Sequence, residues 1–275
     1  MLDSLPATDK VGPEAPSNVA TSGAANAAAD DAIAEFDSRR VAPTRLMAAH
    51  RFLLEHAFYP LSLCTLLCFA FWFTRVVHTS TLTYDFLIKN LFLAWMPYFL
   101  SLAAVSMQRS PTPNAKWKVA LIWTSWLVMF PNAPYIFTDL IHWRNRPPVM
   151  PWWFDLGLVL MFALAGCFAG IVSLKMMHDL VRRAVGGVGG WAFVVIVAML
   201  SGFGVYLGRF ERWNSWDILT QPRRVIMITL YKSLHPHLFD RTFGVTLMFG
   251  AMMLVTYVMF VSIPNRPLTR TDAAR

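Results

Sequence analysis

Large apolar residues arrive in six long runs, at about 57–73, 84–107, 117–137, 152–174, 191–208 and 243–263. They show neither the alternation of a half-buried strand nor the narrow stripe of a soluble amphipathic helix. Each run is near the ~20 residues that a helix needs to cross a ~30 Å hydrocarbon core, the first and fifth being short. The pattern predicts an all-α, polytopic transmembrane helical bundle of about six spans. Tyr84, Trp117, Trp152, Trp153 and Trp191 flank the runs, where an interfacial aromatic belt belongs.

Residues 1–45 read differently. Ala, Asp, Ser, Pro and Thr dominate, as in SGAANAAADDA, and too little apolar surface is available to offset the entropy of ordering the segment. It lacks the apolar core of a secretory signal and is expected to be a retained, disordered cytoplasmic tail. Residues 46–265 are then the six-span membrane domain and 266–275 a short basic tail.

Composition agrees with the pattern. The 275 residues are 56% hydrophobic and only 15% charged, against roughly 45–50% and about 25% in globular domains. Mean hydropathy is +0.46. The three cysteines lie inside apolar runs, which excludes a disulfide framework and suits small packing residues.

The net charge of +8 is divided between the two sides of the bundle. It fits membrane anchoring and excludes the continuous basic groove of a nucleic-acid-binding protein. With both termini cytoplasmic, the inner side carries thirteen Lys and Arg from Arg39 onward and the outer side ten, the orientation that the positive-inside rule favours. The carboxylates lean the other way: of the eight after residue 56, only Asp179 and Asp272 fall inside.

Two stretches gather the outer polar residues. In FPNAPYIFTDLIHW, residues 130–143, Pro131 and Pro134 each remove a backbone donor and crowd the preceding turn, so the third span is expected to break near Asn132. Asn132 is a good N-cap for a half-helix starting about Pro134, with Tyr135 beside it. On that half-helix Asp139 and His142, spaced i, i+3, share a face as a candidate ion pair, acid and base, or pair of metal ligands.

The second stretch, GFGVYLGRFERWNSWDI, residues 202–218, follows the fifth span. Gly204 and Gly208 form a GxxxG pair, as do Gly166 and Gly170 in the fourth span, and such faces admit another backbone closely. Beyond them Arg209 and Arg212 suit carboxylate or phosphate groups, and Trp213 and Trp216 suit apolar or sugar faces. Asn214 and Asp217 add hydrogen-bonding capacity. Asp155, one turn into the fourth span, is expected to pair with Arg209 or Arg212, because an intramembrane carboxylate needs a partner. Residues 223–240 form either an interfacial or a re-entrant segment and end in His235 and His237. These histidines, with Asp139 and His142, have the ligand types for a divalent Zn, Fe or Mn ion, although the spacing is not diagnostic.

PNAPY at 131–135 with Thr138, Asp139 and His142, and GRF at 208–210 with RWNSWD at 212–217, resemble a bacterial family of integral membrane proteins catalogued as a domain of unknown function. The resemblance covers about residues 60–263. It implies a multi-pass protein of the bacterial inner membrane and supplies no substrate, cofactor or catalytic assignment.

Walker, CxxC, HExxH and GxSxG signatures are absent from the sequence. Three function classes stay open. The first is a protein with an extracytoplasmic polar pocket that recognises, with or without chemical processing, an anionic amphiphile such as a lipid-linked phosphate or glycan. The second is a small-solute or ion transporter built on the broken third span. The third is a non-catalytic assembly subunit that binds a membrane-protein partner through its GxxxG faces.

Overall fold

A computed structural model describes residues 45–109, 116–145, 149–213, 220, 223–224, 227, 231 and 240–263. The chain divides into Met1–Phe52 and Leu53–Arg275. The expected tails at 1–45 and 266–275 lie outside the described residues but for Arg45, as does most of 223–240.

Among the described residues every regular element is helical. In chain order they are α1 (Arg45–Glu55), α2 (Phe58–Thr79), α3 (Asp85–Arg109), α4 (Lys116–Met129), α5 (Asn132–Tyr135), a 3-10 helix (Ile136–Asn145), α6 (Trp152–Phe210) and α7 (Asp240–Ser262). Five helical stretches are long and apolar enough to cross a membrane: α2, α3, 116–144, α6 and most of α7. The protein is thus a polytopic helical bundle suited to a lipid bilayer. Its outward faces agree, since Leu63, Leu66 and Phe73 on α2 and Leu247, Val255 and Met259 on α7 are all exposed. The buried set, by contrast, includes Arg75, Asp139, Asp155, Ser173 and His178.

At about 1.5 Å per residue, the 59 residues of α6 would reach roughly 90 Å if straight. They do not run straight. Gly186 adopts φ 81° and ψ 179°, a conformation open only to glycine, and interrupts the helix. The chain then doubles back: the His178 ring lies 5.1 Å from that of Trp191. The fourth and fifth apolar runs of the sequence are therefore the two arms of one broken helix, here termed the first arm (152–185) and second arm (187–210).

α2 enters and leaves through left-handed residues, Ala57 at φ 56° and Ser80 at φ 50°, and Ser80 donates its N–H to the Val76 carbonyl. It ends at Thr79, further along than the apolar run, because Arg75 is drawn into the interior. A polar relay ties three helices together inside the apolar core. Trp126 Nε1 donates to Ser173 Oγ at 2.8 Å. Ser173 Oγ donates to the Pro97 carbonyl at 2.9 Å. Without the relay these groups would be buried unsatisfied, which costs more than the bonds gain.

Candidate functional site

Helix α4 stops at Met129. Phe130 and Pro131 turn the chain into the four residues of α5, and the 3-10 helix follows. Pro131 has no N–H to continue the ladder, and the side chain of Asn132 closes the exposed end by donating from Nδ2 to the Met129 carbonyl at 2.8 Å. Asn132 therefore finishes the helix before it. This corrects the expected role as an N-cap of a half-helix: Pro131 occupies that cap position, with no side-chain cap bond.

This segment is seated between glycine faces of both arms of α6. A Cβ on Gly166 would stand 2.6 Å from Ile136 Cγ2, and one on Gly170 would stand 2.7 Å from Ala133 Cβ. On the second arm, a Cβ on Gly204 would stand 2.5 Å from Pro131 Cγ, and one on Gly208 would stand 3.0 Å from the Tyr135 ring. The small residues of PNAPY thus fit where the arms carry no side chain. The GxxxG faces expected to receive a partner protein are instead filled by this chain's own segment, a correction whose reason is that close packing is needed inside the bundle first.

The seat positions Asp139. Its side chain is 1% exposed, and Asn90 Nδ2 on α3 donates to Oδ2 at 2.6 Å. Arg209 Nη1, at the end of the second arm, stands 3.7 Å from Oδ1. That distance is an ion pair longer than a hydrogen bond, so the guanidinium fork is not used up by this carboxylate. His142 Nδ1 lies 3.9 Å from Oδ1 but 3.2 Å from the Asp139 carbonyl oxygen, in hydrogen-bonding range of the main chain. With Nδ1 so placed, Nε2 is the ring nitrogen left for other chemistry. The ring rests against Phe86 at 4.7 Å, and its side chain is 41% exposed.

Asp155 is held elsewhere. Arg75 Nε donates to Asp155 Oδ1 at 2.8 Å, with both side chains buried. Arg75 Nη1 reaches Thr81 Oγ1 at 3.3 Å, and its Cζ stacks over the Tyr84 ring at 4.5 Å. The expected pairing of Asp155 with Arg209 or Arg212 is thereby corrected: α2 supplies the cation because Arg75 faces the start of α6 inside the core. Arg212 is exposed, at φ 56°. Trp213 is half-buried, and Arg224 lies over its ring with Cζ 5.4 Å from the centroid. Asn214, Trp216, Asp217, His235 and His237 lie outside the described residues.

A family model described as Protein of unknown function (DUF1361) matches residues 89–259. The chain belongs to this DUF1361 family. No curated protein and no solved structure matches it. In this DUF1361 chain the matched stretch includes Asn90, Asp139, Asp155 and Arg209 and begins after Arg75 and Tyr84. Asn90 and Arg75 had no role in the expectations from sequence, and Tyr84, expected in the interfacial belt, is instead buried against Arg75. A signal for Asn90 was present, since an amide flanked by Leu87 and Leu91 in an apolar run needs a partner. Arg75 carried a similar one at the end of its run.

Proposed function

We propose that this bundle recognises an anionic amphiphile, such as a lipid-linked phosphate or glycan, at the end that carries Asp139, His142 and Arg209. The observation that carries the reading is the spacing at Arg209: Asn90 already bonds the buried carboxylate, and the guanidinium stands beyond hydrogen-bond distance from it. A guanidinium tethered by charge but free to fork is suited to an incoming phosphate or carboxylate. Arg212 and Trp213 follow directly, the one for anion capture and the other for the apolar or sugar portion. Should the ligand be processed, Asp139 and His142 Nε2 are the acid–base candidates.

The same reading takes six crossings, with the third broken at Pro131 and Pro134, both termini cytoplasmic, and this end outside the inner membrane of a bacterium. A divalent metal on His142, His235 and His237 belongs to it as a secondary proposal. Native mass spectrometry of the full chain in mild detergent tests it. A polyprenyl-phosphate adduct lost in Arg209→Ala is expected, and a metal adduct lost in His142→Ala would add metal chemistry. A polyprenyl-phosphate adduct that persists in Arg209→Ala would overturn the assignment.

Transport of a small solute is the second reading. The observation favouring it is the interrupted backbone of 130–145, a turn, the single turn of α5 and a 3-10 helix packed between helices, since irregular backbone at membrane depth commonly lines a path. Flux into proteoliposomes that Asp139→Asn abolishes would favour it over static recognition.

A further inference from the structure

The other end of the bundle holds a cavity of about 440 Å³ between the turn that joins α1 to α2, the end of α3, the first arm of α6 and the end of α7. Along α3, the 18 residues from Asn90 to Gln108 amount to about 27 Å of helix, close to the ~30 Å of a hydrocarbon core. The cavity and the Asp139 site thus lie a membrane thickness apart.

Its lining is divided. Val172, Met176 and Phe260 are among the apolar walls, while the charged rim has three cations, Arg109, Lys175 and Arg183, against two carboxylates, Glu55 and Asp179. The carboxylates bind two of the cations: Arg109 Nη2 meets Glu55 Oε2 at 2.8 Å, and Lys175 Nζ meets Asp179 Oδ2 at 2.8 Å. Both pairs are half-open to solvent, so each is weak and exchangeable. The rim keeps a net positive charge over an apolar floor, and the volume lies within the ~300–1,000 Å³ of small-molecule sites.

We infer that this cavity is a second ligand site, holding the headgroup and upper acyl chain of an anionic phospholipid in the leaflet opposite the Asp139 site. The phosphate sits among Lys175, Arg183 and Arg109, and the acyl chain follows Val172 and Met176. The inference does not depend on the reading of Arg209.

The test is native mass spectrometry of the full chain titrated with phosphatidylglycerol or with phosphatidylcholine of the same acyl chains. Wild type should retain phosphatidylglycerol about thirtyfold more tightly, and Lys175→Gln with Arg183→Gln should remove about that factor, at roughly 1 kcal/mol per basic residue near a surface. In Arg209→Ala one phosphatidylglycerol should remain bound, so loss of the Asp139 site and loss of this one are read separately. Lys175→Arg with Arg183→Lys keeps the charge and should keep the lipid. If the double Gln variant does not purify, Arg183→Gln alone, at an exposed side chain, should still weaken retention about fivefold. Equal retention of the two lipids, or undiminished retention in the Gln variants, would overturn the proposal. Displacement of the lipid by inorganic phosphate alone would make this a free-phosphate site and overturn the lipid assignment.

Discussion

Arg75 and Asp155, 80 residues apart, form a 2.8 Å ion pair with both side chains shut away from solvent. Arg75 Nη2 and Asp155 Oδ2 have no hydrogen-bond partner among the described residues, so one bond joins the pair and Arg75 is held further by Thr81 Oγ1 and the Tyr84 face. Such a pair is costly to break from one side, because the charge left behind has no water to replace its partner. Asp155→Ala is expected to destabilise the bundle by about 3–5 kcal/mol. Arg75→Leu combined with Asp155→Leu should cost much less than the two single changes added. Thermal unfolding in detergent over the full double-mutant cycle measures the coupling, and additive single effects would refute a paired role.

The glycine seat makes a contrast within one residue type. Gly204→Ala and Gly170→Ala drive a methyl into Pro131 and Ala133 and should destabilise by about 1–3 kcal/mol. They should also shift Asp139 from Asn90, because α5 and the 3-10 helix move with the segment. Gly157 and Gly244 face open space within their helices, and alanine there should be neutral or stabilise by up to about 1 kcal/mol. Melting temperatures of the four variants decide this, and indistinguishable values would remove the seat from the account.

Asn90 is the closest partner of the Asp139 carboxylate, at 2.6 Å. Asn90→Leu leaves a buried acceptor short of its donor and should cost about 1–3 kcal/mol. Asn90→Asp adds a second carboxylate and should cost more at neutral pH than at low pH, where protonation removes the repulsion. Unfolding scans at two pH values check both the size and the sign.

Gly186 is a case of conformation without crowding. Nothing lies within 4 Å of a Cβ added there, yet φ is 81°. Gly186→Ala should therefore cost about 1–3 kcal/mol from backbone strain alone. Gly187→Ala, also in open space but without a positive φ, should cost nothing comparable. Equal melting temperatures would mean that the hairpin tolerates another turn geometry.

The helical, membrane-suited character of this chain was determined by sequence alone, because run length and apolarity are local quantities that bilayer thickness converts directly into spans. The neighbourhood of Asp139 and His142 was equally local, resting on a three-residue spacing, and the glycines at 186, 187, 189 and 190 mark where the fourth and fifth runs part. What only the tertiary structure decided is which polar residue meets which. Asn90 finds Asp139 across 49 residues and Arg75 finds Asp155 across 80. The glycine faces serve PNAPY, and the lining of the second cavity draws on four separate segments. Those pairings depend on how far each helix is rotated about its axis and slid along its neighbour. A run that is apolar all round encodes neither, and the few polar residues within it commit to partners only once the helices have packed.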